Sequence, residues 1–248
     1  MSPRSVVVTG ANRGIGLGLI HQFIKNPDIK HIIATARDVD KATELASIND
    51  PRLHILPLVL NCDESIDKFA TKVSDIVGDD GLNLVINNAA IMVYHSVKDK
   101  PNRELLLNQF NVNTVSVVIL TQTLLPLLQK AAAKSTGSSL SVSRAAVVNI
   151  SSGYSSITNN TEPNPSVLSY RMSKTALNQF TKTLSIDVKD DHILTVNMLP
   201  GWVKTDMGGP NADWTVEQST SALVDSFYKL NEEHNGGYYS RHLELIIY

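Results

Sequence analysis

The sequence has little of what would place it outside an ordinary folded domain. Cys62 is its single cysteine, which excludes an internal disulfide and gives no sign of an oxidising compartment. There is no charge excess either: 22 basic residues face 24 acidic ones, a net charge of -2. That balance leaves no electrostatic footprint for nucleic acid or an anionic membrane. The most apolar stretch, 115–128, is broken by Ser116, Thr121, Gln122, Thr123 and Pro126. A membrane span needs about 20 mainly apolar residues, so this stretch is expected to be a buried helix. Residues 1–4 run straight into an apolar strand with no h-region or Arg/Ser-rich presequence, so the expected location is cytoplasmic. The seven histidines include no His-Glu-x-x-His pair, and no metal site is expected.

What is present is alternation. Short β-branched runs at 5–9, 31–35, 54–58, 82–87, 145–150 and 194–199 read as strands, and their continuous apolarity suits strands buried on both faces of a parallel sheet. Helical spacing fills 16–25, 38–48, 65–77, 103–134 and 167–188. The order predicts an α/β fold, a doubly wound parallel Rossmann sheet with helices on both faces. No linker or repeat divides residues 1–248, so one domain is expected. Two polar segments, near 153–169 and 206–217, follow the carboxyl ends of strands, where such sheets bind ligands; they are the candidate substrate loops. The second contains Thr215-Val216-Glu217-Gln218, which resembles a capping box before a last helix.

Thr9-Gly10-Ala11-Asn12-Arg13-Gly14-Ile15-Gly16 lies between the first strand and the first helix. Glycines there permit a tight turn and close backbone approach to a pyrophosphate facing the helix amino end. The second strand ends at Thr35-Ala36-Arg37. A guanidinium at that point can hold a 2'-phosphate through paired charge-assisted hydrogen bonds, and Arg13 is placed to reach the same group. The expected cofactor is therefore NADP(H) rather than NAD(H).

Taken together, Thr9 to Gly16, Asn87-Asn88-Ala89-Ala90, Asn113, Ser152, Tyr170-Arg171-Met172-Ser173-Lys174 and Pro200-Gly201 resemble, in order and spacing, the compact short-chain dehydrogenase/reductases. Residues 9–18, 124–128 and 200–209 are most similar to the sniffer-type carbonyl reductases. The resemblance implies that Asn88, Ala89 and Ala90 run beside the cofactor ribose, although Ala90 stands where the family usually has glycine. It implies that Asn61, in place of a usual aspartate, holds the adenine with Cys62 following. It also implies that Val203 and Thr205, after Pro200 and Gly201, hold the nicotinamide carboxamide.

Tyr170 and Lys174 are four residues apart, so both lie on one helix face. A free phenol has a pKa of about 10, and a nearby ammonium is expected to lower it. Tyr170 would then donate a proton in reduction or accept one in oxidation. Ser152 ends the fifth strand and can hydrogen-bond the substrate oxygen; family spacing favours it over Ser151. Asn113 sits inside the long helical stretch, where asparagine is a poor helix former. The resemblance implies that it organises a water leading from Lys174, while a local kink is the alternative. Trp202, Trp214, Tyr94 and Met92 suit either a pocket wall or ordinary packing.

The expected activity is hydride transfer from NADPH to the carbonyl of an aldehyde or ketone, a small-molecule substrate. The rivals are an NAD(P)-dependent alcohol or hydroxysteroid dehydrogenase and an NADPH-binding signalling protein with slow turnover. The apolar faces of 115–128 and 172–184 suit a paired-helix homodimer.

Overall fold

The computed structural model describes residues 2–163 and 166–248. Its centre is a seven-stranded, all-parallel sheet in the order β3-β2-β1-β4-β5-β6-β7. The strands are β1 (Ser5–Val8), β2 (His31–Ala36), β3 (Leu53–Pro57), β4 (Leu84–Asn87), β5 (Ala146–Ile150), β6 (Leu194–Leu199) and β7 (Tyr238–Ser240). The first six match the apolar runs. β7 does not, because three residues are too short for a periodic signal.

Successive side chains of a strand point to opposite faces, and β1 divides its valines accordingly. Val6 and Val8 enter one core with Leu19, Phe23 and Phe227, while Val7 enters the other with Phe69, Leu120 and Leu128. The first core is closed by α1 (Gly14–Ile24) and α7 (Val216–Phe227). The second is closed by α3 (Asp63–Val77), α5 (Ser116–Ala132) and the far end of α6 (Leu168–Asp187). The capping box before α7 is present: Gln218 N–H donates to Thr215 Oγ1 at 3.1 Å and Thr215 N–H to Gln218 Oε1 at 3.0 Å.

Two helices differ from expectation. The segment 38–48 contributes only one turn, α2 (Thr43–Ala46), because it buries little beyond Ala42 and Leu45 and an Asp38–Lys41 ion pair at 2.7 Å precedes it. The run 103–134 is α4 (Arg103–Phe110) and α5 separated by a π-helical turn, Asn111–Val115. Residues 103–132 are long and apolar enough to cross a membrane, but the α5 side chains Val117, Leu120, Leu124 and Leu128 are buried, the last three in the second core.

Chain order reverses between β1 and β4, so the carboxyl ends of those strands flank the crevice where open α/β sheets take ligands. Beneath it, Asn87, Asn149 and Asn197 stand in register on β4, β5 and β6. Asn87 Nδ2 donates to Asn149 Oδ1 at 2.8 Å, and Asn149 Nδ2 to the α6 residue Thr181 at 2.7 Å. Buried polar groups cost free energy unless paired; these bonds lock α6 to the sheet, while Asn87 Oδ1 is buried without a hydrogen-bond partner among the described residues.

Candidate active site

The glycine loop leaves β1 at Thr9, whose hydroxyl accepts the N–H groups of Asn88 and Ala89, each at 3.0 Å. Asn88 Nδ2 returns two bonds, to Thr9 O at 2.8 Å and Gly10 O at 3.2 Å. The loops after β1 and β4 are therefore one unit. Gly10 and Gly14 have φ of 63° and 54°, a region L side chains rarely adopt. A Cβ on Gly10 would lie 2.9 Å from that of Ala89, and one on Gly16 would strike the Gly10 carbonyl and the Asn88 amide. Arg13, the N-cap of α1, makes no side-chain cap bond, so the first N–H groups of α1, at Gly14, Ile15 and Gly16, are left to an outside acceptor. A cradle this close, ending at a helix amino terminus, fits a pyrophosphate. Asn12 and Ala90, both half-buried, lie in these same two loops.

The two arginines have different surroundings. Arg37 is exposed just past β2, with no ion pair among the described residues. Arg13 is paired with Asp206 at 2.6 Å. Asp206 lies in the segment after Gly201, which folds over the glycine loop: a Cβ on Gly14 would sit 3.2 Å from the Thr205 methyl. That segment is held by Ser219, whose hydroxyl donates to Pro200 O at 2.8 Å, and by Gly208 N–H to Thr205 Oγ1 at 3.0 Å. Val203 is buried beneath it. Asn61 and Cys62 are exposed at the turn between β3 and α3.

α6 carries Tyr170 and Lys174 inward, both buried. The arrangement departs from the expected electrostatics. Lys174 Nζ donates to Ile150 O at 2.7 Å and stands 6.0 Å from the Tyr170 ring centre. Burial pushes Lys174 down to about 8 and Tyr170 up to about 12. Desolvation disfavours the charged form of each group and is the largest cause of both shifts. The Ser152 hydroxyl, hydrogen-bonded to the Tyr170 phenol, pulls the other way, and the phenols of Tyr238 and Tyr154 add to the rise.

Ser152 is thus the serine that meets Tyr170. Ser151 is buried, its hydroxyl tied to Asn178 Oδ1 at 2.7 Å. Asn113 lies in the π turn, and its side chain pairs with both the N–H and the carbonyl of Ile91, each at 2.9 Å. Its side chain is therefore a clamp on the loop after β4, and a π turn interrupts the helix at this point. π turns often mark functional sites. The rings of Tyr154 and Tyr170 are near-perpendicular, with centroids 6.5 Å apart. Trp202 is half exposed, held by Nε1 to Gly208 O at 2.7 Å, and Trp214 stacks under Arg241 at 3.8 Å.

Three residues with a part in this site were assigned no role from the sequence. Thr9 joins the two cofactor-side loops, Asp206 engages Arg13, and the Tyr238 phenol donates to Ser152 O at 2.6 Å. Thr9 and Asp206 lie within the singled-out segments 9–16 and 200–209, whereas Tyr238 had no sequence signal.

The short chain dehydrogenase family model matches residues 4–215, and the chain belongs to that family. It is an oxidoreductase with the family's single-domain parallel sheet. Among solved structures it is similar to the Sniffer protein of Caenorhabditis elegans, at 56% identity and TM-score 0.94 over 100% of both chains. It is similar to the carbonyl reductase Sniffer of D. melanogaster, at 37% identity and TM-score 0.95 over 99% of this chain and 100% of that one. The NADPH-bound carbonyl reductase from chicken fatty liver is 36% identical, with TM-score 0.94 over 100% and 95%.

Proposed function

We propose that the chain is an NADPH-dependent reductase delivering hydride to the carbonyl carbon of an aldehyde or ketone. The observation that carries this reading is the placement of two buried side chains one helical turn apart, Tyr170 beside Ser152 and Lys174 on Ile150 O, together with the glycine cradle after β1. Burial favours the protonated phenol, the form that donates in reduction. The bound cofactor supplies the hydride. Tyr170 gives its proton to the carbonyl oxygen, and Ser152 donates a hydrogen bond to that same oxygen as charge develops. Lys174, one helical turn from Tyr170, holds the nicotinamide ribose and replaces the proton. Asn113 fixes the loop after β4 beside them.

For the cofactor, Gly10, Asn12, Gly14, Ile15 and Gly16 take the pyrophosphate, Arg37 the 2'-phosphate, and Asn61 with Cys62 the adenine. Asn88, Ala89 and Ala90 flank the ribose; Pro200, Gly201, Val203 and Thr205 hold the carboxamide. The NADPH in the similar chicken enzyme supports this choice. Arg13 closes the cleft through Asp206 rather than reading the phosphate. The loops 153–169 and 206–217 form the substrate walls, with residues 164 and 165 outside the described residues. Exposed Leu107, Val115, Met172 and Ile186 support pairing of two copies through α4 to α6, and the single cysteine suits a cytoplasmic setting.

The test is NADPH consumption over a panel of aldehydes, quinones and ketosteroids. Turnover of at least one carbonyl, abolished in Tyr170→Phe, is expected. Binding of NADPH without turnover of any would favour the signalling reading.

A further inference from the structure

Ser152 is held from behind by more than its own strand. Its main-chain oxygen accepts the Tyr238 phenol at 2.6 Å, the Ser155 hydroxyl at 2.7 Å and the Ser155 N–H at 2.8 Å. Tyr238 is wholly buried and opens β7, in register with Asn197 of β6. Its ring lies against Tyr248, with centroids 5.8 Å apart. Residues 247 and 248 in turn hold the loop after β5: Ser156 Oγ donates to Ile247 O at 2.6 Å and Thr158 Oγ1 to Tyr248 O at 2.7 Å. From the other side, Ser155 Oγ takes Asn178 Nδ2 at 2.8 Å, which ties the anchor to the helix that carries Tyr170 and Lys174.

We infer that Tyr238 is a positioning residue for the reaction: its hydroxyl fixes the main chain of Ser152 so that the Ser152 hydroxyl meets both Tyr170 and the substrate oxygen. The inference rests on the reading of Ser152 given above. Ser152 lies just past β5, where the last ladder bond is Ser151 N–H to Met198 O at 2.9 Å; beyond it no strand pairing among the described residues sets the backbone. Side chains that must act together need placement well within an ångström, and a displacement of about 1 Å costs about 100-fold. The anchoring carbonyl keeps its two Ser155 donors when the Tyr238 hydroxyl is removed. Tyr238→Phe therefore leaves no orphan buried acceptor, which is the costly case, and its ring still fills the space against Tyr248.

The test is a double-mutant cycle on kcat with Tyr238→Phe and Ser152→Ala, with NADPH titration run in parallel. Tyr238→Phe is expected to lower kcat about 10- to 100-fold with native NADPH affinity. In the Ser152→Ala background it should cause no further loss, since a residue acting through Ser152 has nothing left to position. A merely structural role would make the two losses multiply, and that result overturns the proposal, as does wild-type kcat in Tyr238→Phe. If Ser152→Ala alone keeps wild-type turnover, the role of Ser152 falls first and takes the positioning role with it. Should Tyr238→Phe not fold, Ser155→Ala removes another donor to the same carbonyl, and multiplying losses in that cycle overturn the anchor equally.

Discussion

Arg13 and Asp206 form an ion pair at 2.6 Å across 193 residues of sequence, joining the glycine loop to the segment after Gly201. Both side chains are mostly exposed, at 66% and 74%, so the pair contributes about 0.2–1 kcal/mol to stability. Its consequence is for cofactor reading, because a guanidinium engaged by a carboxylate must share or give up that partner to take a phosphate, which Arg37, without an ion pair among the described residues, need not do. Arg37→Asp should weaken NADPH binding about 10- to 100-fold, the range for losing hydrogen bonds to a charged group, and barely alter NADH binding. Arg13→Ala should cost both cofactors similarly and little. Fluorescence titration of both variants with both cofactors checks this, and a NADPH-selective loss in Arg13→Ala would return the phosphate to Arg13.

Removing the Tyr170 hydroxyl separates chemistry from binding. Tyr170→Phe should keep NADPH affinity within a few fold and lower kcat by about 100- to 10,000-fold, the usual weight of a positioned proton donor. Unchanged turnover under saturating NADPH would remove Tyr170 from the mechanism.

Lys174 gives a pH-dependent stability. Its ordinary value is 10.5 and burial holds it at about 8 in the folded chain. A depressed folded value means that its contribution to stability is full above 10.5 and is lost as pH falls through 8. Lys174→Met should therefore raise Tm relative to wild type more at pH 7 than at pH 10.5. Thermal melts at the two values measure it; an equal difference at both would mean that the lysine is not buried as an amine.

The glycine loop tolerates no side chain at its tightest point. Gly16→Ala pushes a methyl against the Gly10 carbonyl and the Asn88 amide, so the loop after β1 must separate from the loop after β4. Loss of detectable NADPH binding together with a lower Tm is expected, whereas Gly153→Ala, with nothing near its Cβ, should leave binding unchanged. Native affinity in Gly16→Ala would show that the cradle can rearrange.

Much of this molecule was legible before any contact was known, because those features are local. The valines of β1, the glycine turn feeding α1, the Thr215–Gln218 box and the one-turn spacing of Tyr170 and Lys174 each depend on residues within a few positions of one another. Tertiary structure alone decided the rest. It turned Ser151 into the core and Ser152 towards Tyr170, gave Arg13 to Asp206, made a π turn at Asn113, and brought Tyr238 from a strand too short to read beneath a loop 86 residues away. It also set the electrostatics of Tyr170: spacing led to the expectation of a phenol lowered by an ammonium, but burial, which no local pattern records, raises it. Periodicity and turn chemistry act over a few residues, whereas desolvation and long-range pairing exist only once the chain has closed on itself.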